Sequence, residues 1–211
     1  MGEGRGASVA IECGDERVTY AELAEAVNRV GRALRETLDV RCEERVALLL
    51  LDTPAFAYAF FGAIKIGAVP IPINTLWKPP EYRHVLNDSR ARVLIVSAEL
   101  LPKIDEIPSD TLRFLRHVVV VGHAERRDER FAFDDLLARG SALLDAEPTS
   151  RDAPAFWLYS SGSTGAPKGC VHLQHDMVIC AERFAKGVLG IAASDRCFSV
   201  AKLFFAYGLG N

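Results

Sequence analysis

Residues 159–169 read YSSGSTGAPKG: three glycines, four Ser/Thr hydroxyls and one lysine in eleven positions. This is equipment for holding an anion such as phosphate. Glycines let the backbone turn so that successive N–H groups face one concavity. The hydroxyls of Ser160, Ser161, Ser163 and Thr164 add donors, Lys168 adds a mobile positive charge, and Pro167 stiffens the exit. Two familiar phosphate signatures fail on this stretch. A Walker loop counted from Gly162 needs its second glycine where Pro167 stands, and Ser or Thr where Gly169 stands. The dinucleotide fingerprint needs glycine at Thr164. The bland alternative is a Ser/Gly surface linker, but linkers seldom follow an apolar run such as AFWLYSS (155–161).

Other chemistry-bearing residues give weaker signals. His172 and His175 form an HxxH pair, but the chain reads as extended at His172, so the two rings should project apart and not share a metal. The five cysteines (Cys13, Cys42, Cys170, Cys180 and Cys197) include no CxxC spacing. Their odd count argues against a disulfide framework and for reduced, buried thiols, with Cys170 beside the loop. Asp52 reads as a helix cap.

The elements that must position the loop alternate in type. VAIEC (9–13) and RVTY (17–20) flank a GDE turn, and Thr19 with Glu22 forms a capping box for a helix over 20–37. RVALLLL (45–51) is a strand buried on both faces, followed by a helix over 52–67 that starts with an Asp or Thr cap, Asp52 or Thr53, and stops at Gly67. An extended stretch (68–74), a helix entered through prolines (79–90), a strand (91–97), a short helix (98–104), a strand (117–122) and a helix (133–140) follow. A polar connector (145–154) leads to the strand that feeds the loop. Residues 171–187 start extended and become helical, and 196–211 contain a strand and then an aromatic segment. Alternating β and α elements with apolar strands predict an α/β fold with mostly parallel β-sheets flanked by helices.

Composition sets the limits. In 211 residues, 49% are hydrophobic and 25% charged, as in a globular protein with a sizeable core. The net charge of −3 offers no basic face for nucleic acid. The run FAYAFFGAIKIGAVPIPI is broken by Lys65, Pro70 and Pro72, which argues against a membrane span. The N-terminus lacks the layout of a signal peptide, so a cytoplasmic location is expected. The apolar ending FFAYGLGN suggests an incomplete chain.

YSSGSTGAPKG resembles the phosphate-loop signature of adenylate-forming (AMP-binding) enzymes, which include acyl-CoA synthetases, peptide-synthetase adenylation domains and luciferases. FFGAIKIGAVPIPIN (60–74) is similar to that family's early helix-to-strand segment, and KLFFAYGLGN (202–211) to the aromatic segment lining its acyl pocket. Together with GCVHLQHDM (169–177), the pattern looks most like benzoate–CoA ligases and close aryl-CoA ligases. NTLWKPPEY (74–82), with Trp77 and the Pro79–Pro80 pair, departs from it.

The resemblance implies the first part of the family's large domain, with 1–150 as a first αβ subdomain, 151–211 as the start of a second, and the small C-terminal domain absent. It implies ATP, Mg²⁺ and coenzyme A, a small carboxylate substrate such as benzoate, and room for a homodimer. Ser160, Ser161, Gly162, Ser163, Thr164, Gly165, Lys168 and Gly169 would hold the β- and γ-phosphates. Phe205, Ala206, Tyr207 and Gly208 would border the acyl pocket, while Phe204 reads as core. The family's catalytic lysine, ribose-binding acid and Mg²⁺-binding glutamate have no counterpart in these residues. The competing readings are a non-catalytic nucleotide-binding module and an adenylation domain serving a carrier protein.

Overall fold

The computed structural model describes residues 4–123, 130–139, 141–160 and 165–210. In chain order its elements are β1 (Val9–Cys13), β2 (Glu16–Thr19), α1 (Tyr20–Arg32), β3 (Arg45–Leu49), α2 (Pro54–Lys65), β4 (Val69–Pro72), α3 (Pro79–Asp88) and β5 (Val93–Ser97). These are followed by α4 (Leu101–Asp105), β6 (His117–Val121), β7 (Arg130–Ala132), α5 (Phe133–Arg139), β8 (Pro154–Ser160), β9 (Lys168–Leu173), α6 (Asp176–Cys180) and α7 (Ala206–Gly210). Helices α1 and α6 each run on into a stretch of π-helix, Ala33–Thr37 and Ala181–Lys186.

Five strands form one sheet in the order β4-β3-β5-β6-β7, and every pairing in it is parallel. Two antiparallel hairpins, β1-β2 and β8-β9, stand outside it. The mostly parallel α/β architecture expected from the alternating pattern is what the chain forms.

Strand period explains the layering. On β3, Val46 and Leu48 face one core with α1, α2 and α5, while Ala47 and Leu49 face a second core with α3 and α4. A strand buried on both faces must be apolar at every position, which is why RVALLLL shows no alternation. Phe60 of α2 anchors the first core, with Phe56 stacked on it at 6.0 Å and Phe156 of β8 edge-on at 5.3 Å. Tyr82, Val85 and Leu86 fix α3 against the second core.

The capping box at α1 forms as expected: Thr19 Oγ1 accepts from the Glu22 N–H at 3.2 Å, and Glu22 accepts from the Thr19 N–H at 2.8 Å. Several expectations need correction. Asp52 does not cap α2; the N-cap is Thr53, without a side-chain bond. No strand forms in the described part of 196–211. Phe198 and Val200 are 90% and 87% exposed, and a strand needs a neighbour for its backbone groups. The three-residue edge strand β7 escaped notice because it is too short to display a period. The cysteines are not buried: Cys42, Cys170, Cys180 and Cys197 are exposed and Cys13 is half-buried.

Candidate phosphate hairpin and acyl-side segment

The hairpin β8–β9 carries the glycine-rich stretch at its tip. Along β8, Phe156 and Leu158 enter the first core, while Trp157 and Tyr159 pack against the second. One leg is therefore wedged between the two cores. Residues Lys168 to Val171 of β9 are exposed. The ladder runs from Pro154 opposite Leu173 to Ser160 opposite Lys168.

That register places the first hydroxyl and the only lysine of the signature side by side at the mouth of the loop. Both side chains are exposed. Lys168 and Gly169, expected within the loop, are the first residues of β9, so the extended segment begins three residues earlier than the sequence suggested. Gly169 lies opposite Tyr159, and a Cβ there would stand 3.2 Å from the Tyr159 ring and 3.4 Å from that of Trp157. Gly165 has φ +154°, a conformation that side chains rarely adopt. Ser161, Gly162, Ser163 and Thr164 lie outside the described residues.

Helix α3 holds both legs of the hairpin. The Tyr159 hydroxyl donates to Asp88 Oδ2 at 2.5 Å, and His84 Nε2 lies 2.9 Å from the Pro167 carbonyl oxygen. A carbonyl only accepts, so this contact assigns the ring proton to Nε2. Burial, and then the bond to Asp88, push the Tyr159 hydroxyl well above the ordinary tyrosine range.

The aromatic segment 202–210 is tied to Asp52, just beyond the end of β3. Asp52 Oδ1 accepts from the Leu203 N–H at 3.1 Å, and Lys202 Nζ lies 3.2 Å from Asp52 Oδ2. Phe204 is buried, as expected of a core residue, and its ring meets that of Phe205 at 4.3 Å. Phe205 and Ala206 are exposed, and Tyr207 is 71% exposed. Gly208 is buried: a Cβ on it would come within 2.6 Å of the Ala201 carbonyl oxygen and closer still to that of Lys202. This turn therefore requires glycine. Leu203 and Leu209 pack on the same core that receives Phe156 and Leu158, so segment and hairpin share a support.

The two histidines do not project apart. His172 Nδ1 and His175 Nε2 both approach the Asp176 carboxylate, at 3.4 and 3.2 Å. Asp176 also accepts the Leu173 N–H at 3.0 Å, and the His172 ring stacks on Phe156 at 4.5 Å. This cluster shapes the turn from β9 into α6. Sequence reasoning missed His84 and Asp88. They lie 83 and 71 residues from their partners, and no local pattern links them.

A five-stranded parallel sheet with a separate Ser/Gly/Lys-bearing hairpin packed on its cores makes this an α/β protein with a candidate phosphate loop. The AMP-binding enzyme family model matches residues 2–211, and the chain belongs to that family. A benzoate–CoA ligase from Thauera aromatica is 51% identical over 197 residues, covering 92% of this chain and 36% of the relative. A 4-hydroxybenzoate–CoA/benzoate–CoA ligase from Rhodopseudomonas palustris is 42% identical over the whole chain and 38% of its own length. Among solved structures, an anthranilate CoA ligase in complex with anthranoyl-AMP matches with a TM-score of 0.94 and 41% identity, over 98% of this chain and 39% of that one. A benzoate CoA ligase from Burkholderia xenovorans matches with a TM-score of 0.86 and 39% identity, over 99% of this chain and 40% of that one. The chain thus spans well under half the length of these relatives. No helix among the described residues is long and apolar enough to cross a membrane.

Proposed function

We propose that this chain is the N-terminal part of an aryl-CoA ligase that activates benzoate or a close analogue. The observation that carries the reading is the pairing of Ser160 with Lys168 at the mouth of the glycine-rich loop, in a chain 51% identical to a benzoate–CoA ligase. In the first step a carboxylate oxygen attacks the α-phosphorus of ATP. The bond to the β-phosphate bridging oxygen breaks, and pyrophosphate leaves. In the second step the coenzyme A thiol gives up its proton, its sulfur attacks the acyl carbon, and AMP leaves with the electrons of the broken C–O bond.

Ser160, Ser161, Gly162, Ser163, Thr164, Gly165, Lys168 and Gly169 bind the β- and γ-phosphates and take up charge as pyrophosphate departs. Such a displacement depends on positioning more than on a protein nucleophile. Phe205, Ala206, Tyr207 and Gly208 border the aryl group, where an exposed ring offers an edge or face to a flat substrate. Among the described residues no group of three or more His, Cys, Asp or Glu is placed to hold a metal. Mg²⁺ is commonly held by substrate phosphates with only one or two carboxylates, so it would accompany ATP to this loop and would offset the charge of the departing pyrophosphate. Residues 1–150 form a first subdomain and 151–211 begin a second. The remaining catalytic groups belong to a later part of a longer, cytoplasmic polypeptide.

The test is carboxylate-dependent exchange of pyrophosphate into ATP by the complete enzyme. Benzoate and hydroxybenzoates should support exchange with a kcat/KM at least tenfold above that for acetate; equal or better use of acetate overturns the reading. The 211-residue chain alone should release no AMP from ATP, benzoate and coenzyme A. Turnover near an ordinary enzyme rate of roughly 1 s⁻¹ would show that it needs no further part.

A further inference from the structure

We infer that His84 and Asp88 are positioning residues that clamp the two legs of the phosphate loop to α3, and so set the affinity for the ATP phosphates. The inference rests on the reading of 159–169 as the ATP phosphate loop. Positions 84 and 88 are one helical turn apart and share a face. Each takes hold of a different leg, one residue from the last ladder pair, Ser160 and Lys168. Asp88 accepts from the hydroxyl of Tyr159, the residue before Ser160. His84 contacts the carbonyl of Pro167, the residue before Lys168.

Both ends of the loop are thus referred to one rigid element, whose own place is fixed by Tyr82, Val85 and Leu86 in the second core. That division matters. The packing of α3 does not depend on His84, which is half-buried, or on Asp88, which is exposed. The two bonds therefore do little for the fold and much for the loop. A loop held in its binding shape gives up less conformational freedom when a polyphosphate arrives, and the saving appears as affinity. It should be spent on the nucleotide and not on the acyl group, because neither bond touches 205–208.

The experiment uses His84→Ala, His84→Gln and Tyr159→Phe in the complete enzyme. Glutamine is expected to return a donor near the position of Nε2, and phenylalanine removes only the hydroxyl that Asp88 holds. His84→Ala should raise the KM for ATP in pyrophosphate exchange by roughly three- to tenfold, the effect of one lost hydrogen bond. The KM for benzoate should move less than twofold, and His84→Gln should restore the ATP value. Tyr159→Phe should act in the same direction, and it keeps the test decisive should His84→Ala fail to fold.

An unchanged KM for ATP in a folded His84→Ala and in Tyr159→Phe overturns the clamp, as does an equal rise in both substrates' KM. Amide hydrogen exchange separates this from failure of the functional reading. If the unmodified enzyme shows no carboxylate-dependent exchange of pyrophosphate, that reading falls. The mechanical part then still requires faster exchange at Gly165, Ala166 and Lys168 in His84→Ala, and is overturned if those amides exchange at the original rate.

Discussion

Replacing Asp52 by alanine distinguishes a tether from a helix cap. Asp52 Oδ1 accepts the Leu203 N–H at 3.1 Å, and Oδ2 faces Lys202 Nζ at 3.2 Å. A hydrogen bond from a backbone N–H to a carboxylate is worth about 1.5–3 kcal/mol. The ion pair adds little, because Lys202 is 59% exposed and exposed pairs contribute about 0–1 kcal/mol. Asp52→Ala should therefore make local opening of the 201–210 segment easier by about 2 kcal/mol, a roughly thirtyfold loss of protection at the Leu203 amide. Asp52→Asn keeps an acceptor and should lose less than tenfold. The assay is native-state amide exchange followed by NMR, with a denaturant melt to confirm that global stability has not fallen by more. Were Asp52 the cap of α2, the affected amide would be that of Ala55, because Pro54 has no N–H. Loss of protection confined to that first turn, or an unchanged Leu203 amide in Asp52→Ala, would refute the tether.

In the complete enzyme, Lys168→Ala should slow pyrophosphate exchange by roughly tenfold to a hundredfold, the effect of one charge-assisted contact, without changing the order of preferred acids. Tyr207→Ala should shift the ratio of kcat/KM between benzoate and a short aliphatic acid while sparing the KM for ATP. Because Tyr207 is 71% exposed, its removal should alter stability by no more than about 0.5 kcal/mol. Thr19→Ala should weaken α1 by about 1 kcal/mol in a denaturant melt. Bonds from the Thr19 backbone N–H and then the Thr19 hydroxyl hold the Glu22 carboxyl below its ordinary range, so its contribution is present above a pH of about 4 and lost as the pH falls through its lowered value. Chemical melts between neutral and acid pH should show that loss in the native chain and a smaller but still clear loss in Thr19→Ala, which keeps the backbone N–H and removes only the hydroxyl.

The parts of this molecule that were legible in its sequence are those with local causes. The buried strand β3, the capping box at Thr19 and the proline entry to α3 each follow from residues within one or two turns of each other. The phosphate role proposed for the glycine-rich stretch has the same local basis, since its donors are consecutive in the sequence. What could not be read depends on partners far along the chain. Asp52 looked like a cap because it stands before a helix, yet its carboxylate serves a backbone N–H 151 residues later. His172 and His175 seemed to diverge because β9 is extended. The turn after Leu173 brings Asp176 back between them. FSV within 196–211 has the alternation of a strand, but alternation signals a strand only where another strand lies alongside.

The same distinction bears on how the two proposed sites stay independent. Each joins exposed residues, Gly165 and Lys168 in one and Phe205 to Tyr207 in the other, to side chains that enter the core. Each is also tied by a carboxylate next to an element of the buried framework: Asp88 at the end of α3 for the hairpin, Asp52 beyond the end of β3 for the aromatic turn. The two carboxylates sit on different elements, α3 packing in the second core and α2, just after Asp52, in the first. A change at one tether can therefore loosen its own turn without passing through the other. Substitutions at Asp88, Tyr159 or His84 should accordingly combine with Tyr207→Ala as separate effects, additive in free energy for ATP and for the carboxylate. A double variant whose ATP and benzoate constants both depart from the product of the single effects by more than about threefold would mean that the turns communicate through their common core. Phe156, Leu158, Leu203 and Leu209 would be the residues carrying that communication.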